Sequence, residues 1–325
     1  MITFSDKLIQ NIKTKKTILC VGLDPQLSHI PQFLKEQALK EFKDPFKVTA
    51  YSILRFNTKI IDVVAPYCVC VKPQSAFYEK LGHFGIWVLE ETIKYAKKKG
   101  LMVILDVKRG DGGDTAKAYS RAYFEKEVEL VNNQKAKNPL EVDALTLNIQ
   151  IGKACLDPFI EKMTAQGKGV FAVCKTSFKP NSEIENILSI EFDRVWEKIA
   201  FLVRQWSKDT FGQNGYNNFG IVAGATYPEE SQILRNILAN HWFLVPGFGA
   251  QGGFALDAVI AAKDDGLGII VNSSRGITTA HLDNQGNASS SEEQSFQLIE
   301  KAARDSRDVL NQALMQTGKA GDWLR

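Results

Sequence analysis

Eight short apolar runs, rich in β-branched residues and each closing on polar residues or glycine, recur along the chain. They are 17–24 (TILCVGLD), 67–74 (YCVCVKPQ), 101–108 (LMVILDVK), 143–148 (DALTLN), 170–177 (VFAVCKTS), 219–225 (FGIVAGA), 241–249 (HWFLVPGFG) and 268–275 (GIIVNSSR). Between them lie helix-length segments whose apolar residues return every three or four positions, as in 84–98 and 229–239. Near-continuous apolar strands separated by helices are the pattern of parallel strands covered on both faces. Eight such units fit a (β/α)8 TIM barrel, of the α/β class, better than an open sheet. Ahead of the first strand, Ser5 followed by Leu8, Ile9 and Ile12 predicts a capped amphipathic helix.

At 325 residues the chain exceeds the roughly 250 typical of this barrel. The surplus falls in three places: a polar, irregular stretch at 132–139, a segment at 180–218 with an extra helix around 192–206, and an Asn- and Ser-rich loop at 278–291. Ser290 and Glu293 have capping-box spacing ahead of a long final helix. No dividing linker or repeat interrupts the series, so one barrel domain over 1–325, with loop and helical insertions, is expected.

Forty basic and 37 acidic residues leave a net charge of 40 − 37 = +3, with 44% hydrophobic and 24% charged residues. That is the mix of a folded soluble protein, with no overall basic field to favour nucleic acid. No apolar run approaches the roughly 18 residues that span a bilayer, and the first residues lack a signal peptide's apolar stretch. Five scattered cysteines (20, 68, 70, 155 and 174) include no CxxC pair, and four histidines form no ligand cluster. A cytoplasmic, reduced protein with no structural metal and no membrane partner is expected.

The chemistry concentrates where the strands stop being apolar. Asp24 ends the first run, Lys72 the second, and Asp106 with Lys108 the third; Asp111 and Thr115 follow in the loop. Barrel enzymes place their chemistry at this rim, because the βα loops open there. Asp106 and Lys108, two apart, share one face of an extended strand, and Lys72 repeats the arrangement on the neighbouring strand. A single such charge reads as a structural ion pair, whereas charges converging from adjacent strands point to a functional site.

Near the C-terminal end, PGFGAQGG (246–253) precedes VNSSRG (271–276) by one strand. Gly247, Gly249 and Gly252 satisfy GxGxxG, a weak dinucleotide fingerprint that would admit an NADP-dependent oxidoreductase using Arg275. The barrel accounts for both segments together, since the loops after strands 7 and 8 commonly form a phosphate site. Glycines let backbone N–H groups reach phosphate oxygens, and Arg275 adds a bidentate contact.

VGLDP (21–25), VKPQSAFYE (71–79), LDVKRGDGGDTAKAY (105–119), VCKTS (173–177), PGFGAQGG and SSRG (273–276) resemble the orotidine 5′-phosphate decarboxylase family, in its longer bacterial variety. These segments run through most of the chain in the family's order. The DxKxxD pattern alone is shared with metal-using sugar-phosphate enzymes on the same barrel; Lys72 and the Asp24 segment favour the pyrimidine branch. The resemblance implies cofactor-free decarboxylation of orotidine 5′-monophosphate to uridine 5′-monophosphate (UMP). It implies Lys108 as proton donor, within a charge network of Lys72, Asp106 and Asp111. Asp24 and Thr115 would hold ribose hydroxyls and Ser177 the pyrimidine amide. Pro246, Gln251, Gly252, Gly253, Arg275 and Gly276 would line the remaining substrate contacts, chiefly phosphate. It also implies a homodimer, with Asp111 and Thr115 entering the partner's site. The chain departs from the family at Gly112, where an aliphatic residue is usual, at Asp114, and at 178–181, which replaces an Asn-Pro-Gly-like stretch.

Overall fold

All eight apolar runs form strands: β1 (Leu19–Leu23), β2 (Cys70–Pro73), β3 (Met102–Arg109), β4 (Ala144–Leu147), β5 (Gly169–Lys175), β6 (Asn217–Ala223), β7 (His241–Val245) and β8 (Ile269–Ser273). In the computed structural model, which describes residues 1–178, 183–249, 254–283, 285–288 and 291–324, they close into a parallel barrel. Each strand pairs with the next in sequence, and β8 returns to β1 with Leu19 opposite Val271 and Cys20 opposite Asn272. Most strand residues are buried, because one face fills the barrel and the other meets the helices. Hence the runs lack polar alternation. Among the described residues, no helix is long and apolar enough to cross a membrane.

The lower end of the barrel is plugged by the helix Phe4–Lys15. Its cap is Thr3, whose side chain accepts the Asp6 N–H, so the predicted cap at Ser5 is displaced by two residues. Ser5 is buried instead: its Oγ donates to the Asn217 carbonyl at 2.8 Å and lies 3.1 Å from the Trp242 indole nitrogen that donates to it. Phe4 meets Phe171 edge-on, with ring centres 5.8 Å apart, at the foot of β5. A serine in the first turn of an amphipathic helix mimics a cap in sequence, but here the tertiary partners claim its hydroxyl.

The insertions acquire definite forms. The stretch around 132–139, expected to be irregular, supplies the second strand of an antiparallel hairpin that pairs Glu127–Glu129 with Lys135–Lys137. The extra helix is Val195–Trp206. The final helix, Glu292–Gln316, is capped by Ser291, which accepts the Gln294 N–H at 3.1 Å. The capping box predicted from Ser290 and Glu293 is therefore out of register by one residue, and Ser290 itself lies outside the described residues.

Close strand packing depends on Gly220 in β6: a Cβ there would stand 2.3 Å from the Trp242 carbonyl oxygen and 2.8 Å from the Phe171 ring. Backbone cannot yield as a side-chain tip does. Gly220→Ala is expected to cost about 1–3 kcal/mol of unfolding free energy, as overpacked cores do; urea denaturation followed by circular dichroism checks this.

Candidate active site

The upper mouth of the barrel is built around Asp106, a carboxylate only 7% exposed on β3. Its Oδ2 accepts from Lys72 Nζ at 2.9 Å, and its Oδ1 from Lys108 Nζ at 2.6 Å and from Thr146 Oγ1 at 2.7 Å. Lys72 comes from β2 and Thr146 from β4, so three adjacent strands meet at one carboxylate. Burial alone would raise the Asp106 pKa, but the two ammonium groups and their hydrogen bonds together hold it well below the usual carboxylate range. Burial likewise opposes the charge on Lys72, but the Asp106 carboxylate, and after it Asp24, raise its pKa above the usual lysine value. Both groups are thus ionised at neutral pH.

Lys108 reaches Asp106 by a route that strand alternation does not foresee. Leu105 pairs with Leu145 but Arg109 with Leu147, so β3 bulges between them. Lys108 sits in the bulge with φ = +44°, the left-handed region that a non-glycine residue enters at a cost. Its backbone N–H donates to Thr146 Oγ1 at 3.0 Å. Thr146 therefore fixes both the carboxylate and the strained backbone beside it, and its side chain is buried. The bulge leaves the Lys108 side chain 44% exposed in the cleft, whereas Lys72 stays 7% exposed behind it.

The same cleft gathers Asp24, Lys72, Asp106, Lys108, Ser177, Pro246 and Arg275 from across the sequence. Gly276 follows Arg275 at the rim, and both are exposed. Asp24 Oδ1 is buried and accepts no hydrogen bond. The floor toward β5–β7 is apolar, formed by Val173, Val222 and Leu244. Gln251, Gly252 and Gly253 lie outside the described residues. Asp111 and Thr115 are exposed and do not line the cleft; the Asp111 carboxylate accepts the Gly112 N–H at 2.7 Å instead. Within one chain, the charge network therefore consists of Lys72, Asp106 and Lys108 without Asp111.

Thr146 and Asn272 are cleft residues that the sequence reading missed. Asn272, buried on β8, directs Nδ2 to Ser274 Oγ at 3.3 Å and leaves Oδ1 without a partner. Gly22 makes room for this pair, since a Cβ there would stand 1.8 Å from Ser274 Oγ and 3.3 Å from Asn272 Oδ1. A threonine and an asparagine inside apolar strands were the available signal. Among the described residues, no group of three or more His, Cys, Asp or Glu is placed to hold a metal ion.

Closed parallel strands with ionised groups converging at their C-terminal ends define a (β/α)8 enzyme with its chemistry at the upper mouth. The chain belongs to the Orotidine 5'-phosphate decarboxylase / HUMPS family, whose model matches residues 17–290. An orotidine 5'-phosphate decarboxylase of Rhodopirellula baltica is 40% identical over 281 residues, covering 86% of this chain and 90% of that one. One of Clostridium perfringens is 34% identical over 312 residues, covering 96% and 99%. Among solved structures, the OMP decarboxylase of Leishmania donovani superposes with a TM-score of 0.72 at 26% identity, covering 96% of this chain and 99% of that one.

The pKa shifts fix a pH window. A lowered Asp106 value contributes stability present above the ordinary carboxylate pKa of about 3.9 and lost as pH falls through the lowered value. A raised Lys72 value contributes stability present below about 10.4 and lost as pH rises through the raised one. Asp106→Asn is expected to lose about 3 kcal/mol or more, because it leaves buried ammonium charge uncompensated. The gap to the native protein should narrow in strong acid, where Asp106 takes up a proton, and again as pH rises and the variant's unpaired, buried Lys72 sheds its proton. Guanidinium titrations from about pH 3 to 9 read it, and a gap that widened toward either extreme would contradict the pairing of Asp106 with Lys72.

Proposed function

We propose that this chain, acting as one barrel domain over 1–325, decarboxylates orotidine 5′-monophosphate to UMP and carbon dioxide, with Lys108 as proton donor to C6. The observation that carries this reading is Asp106 gripping Lys72 and Lys108 at once in a cleft that also holds Ser177 and Arg275. Breaking the C6–carboxylate bond leaves its electron pair on C6, in the ring plane, with no adjacent carbonyl to delocalise it. A preorganised ammonium is suited to such localised charge, and the same group supplies the proton that completes UMP. The charged, oriented Lys108 meets both needs. Lys72 keeps Asp106 ionised behind it.

Asp24, with its unpaired buried oxygen, accepts from a ribose hydroxyl, and Ser177 bonds the pyrimidine amide. Arg275, with the backbone around Gly276 and the segment carrying Gln251, Gly252 and Gly253, takes the phosphate; Pro246 lines the wall between. Binding energy at the remote phosphate then helps hold the loops closed over the base. Asp111 and Thr115, outside the cleft in one chain, act across a homodimer interface in the site of the second copy. The Asp111 carboxylate there completes the alternation of charge around Lys108. The functional setting is pyrimidine biosynthesis in the cytoplasm.

Lys108→Ala is expected to lower kcat by at least about 1,000-fold while UMP still binds. Loss of the substrate's ultraviolet absorbance and isothermal titration with UMP measure the two parts. Near-normal turnover would remove Lys108 from the chemistry. Mixing inactive Lys108→Ala and Asp111→Ala chains should restore activity, because a mixed dimer contains one intact site. No recovery despite mixed dimers seen by native mass spectrometry would place each site within a single chain.

A further inference from the structure

One buried charge cluster takes no part in that chemistry. Lys175, the last residue of β5, is 1% exposed, an unusual setting for a lysine. Its ammonium lies 3.6 Å from Glu185 Oε2, donates to Asn186 Oδ1 at 2.9 Å and stands 4.4 Å from the centre of the Tyr227 ring. Glu185 and Asn186 belong to the insertion after β5, a segment beyond the needs of the barrel itself. The insertion is tied to the helix Val195–Trp206: Trp196 N donates to the Glu185 carbonyl at 3.2 Å, and Val195 N to that of Ile187 at 3.1 Å.

The cluster acts on the backbone that carries Ser177. Both Glu185 carboxylate oxygens accept the Thr176 N–H, at 3.1 and 3.2 Å. From the other side, Thr226 Oγ1 donates to the Ser177 carbonyl at 3.3 Å and Tyr227 Oη to that of Phe178 at 2.8 Å. Gly224 allows this approach, since a Cβ there would stand 2.7 Å from Ser177 Cα. Three consecutive residues at the cleft edge are thus held from two sides. A buried ammonium without its carboxylate is costly, so Lys175 keeps Glu185, and with it the insertion, against Thr176.

We propose that Glu185 is a positioning residue for pyrimidine recognition: with Lys175 it braces the Thr176–Ser177 backbone so that Ser177 meets the base amide. This rests on the role assigned to Ser177 above. The insertion then serves selectivity toward the base, leaving the phosphate and the proton donor to other elements. A purely structural ion pair would loosen every ligand alike; a brace loosens only ligands that carry the pyrimidine.

Titration calorimetry with UMP and with ribose 5-phosphate, which lacks the base, separates the two. Glu185→Ala is expected to weaken UMP about 10-fold or more, the scale of a lost buried hydrogen bond to substrate, and to leave ribose 5-phosphate within about 2-fold. KM for orotidine monophosphate should rise more than kcat falls. If the single variant fails to fold, Lys175→Met/Glu185→Leu removes both charges together, a change that buried pairs tolerate, and should show the same selective loss. Equal weakening of both ligands, or unchanged UMP affinity in a folded variant, overturns the proposal. Ser177→Ala reports separately: if it leaves UMP affinity intact, the role given to Ser177 fails, and the brace with it. If Ser177→Ala weakens UMP and the Glu185 variants do not, the brace alone fails.

Discussion

A single ionised carboxylate organises the mouth of this barrel. Asp106 is shielded from water, and it remains charged because Lys72 and Lys108 bind its two oxygens. The dependence is mutual. Lys72, equally buried, would be driven toward neutrality by desolvation were Asp106 not beside it. Such a group tolerates no half measures, since removing either partner strands a charge in a low-dielectric interior. The surrounding structure meets that demand with a third donor, Thr146, and a bulge that aims Lys108 at the carboxylate while leaving its ammonium open to the cleft.

The two ends of the barrel divide the work. The lower end is closed by Phe4, Ser5 and Trp242, where rings and one hydroxyl fill the space between strands. The upper end withholds that filling and spends its polar groups on the cleft. This asymmetry lets charged residues occupy strand ends without undoing the core beneath them, because Val173, Val222 and Leu244 still floor the cleft.

Most of this was legible in the sequence. The eight runs gave eight strands, because parallel strands buried on both faces are written as continuous apolar stretches. Asp24, Lys72, Asp106 and Lys108 stood out because fixed charge ends those stretches. What escaped was set by contacts distant in sequence. Ser5 looked like a cap until Asn217 and Trp242 claimed its hydroxyl. Thr146 and Asn272 passed as strand residues, since nothing local distinguishes a hydroxyl facing Asp106 from one facing solvent. The bulge at Lys108 was hidden because alternation assumes a regular ladder. Lys175 lay in plain view in VCKTS, but its partners come from an insertion whose path the sequence does not disclose.

The left-handed backbone of Lys108 carries a trade of its own. Glycine at this position would free the main chain of steric conflict, but it would also take away one of the two ammonium groups that hold Asp106 ionised. Lysine here sets a local conformational cost against the second cation it brings to the carboxylate, so main-chain strain and side-chain charge pull this one residue in opposite directions.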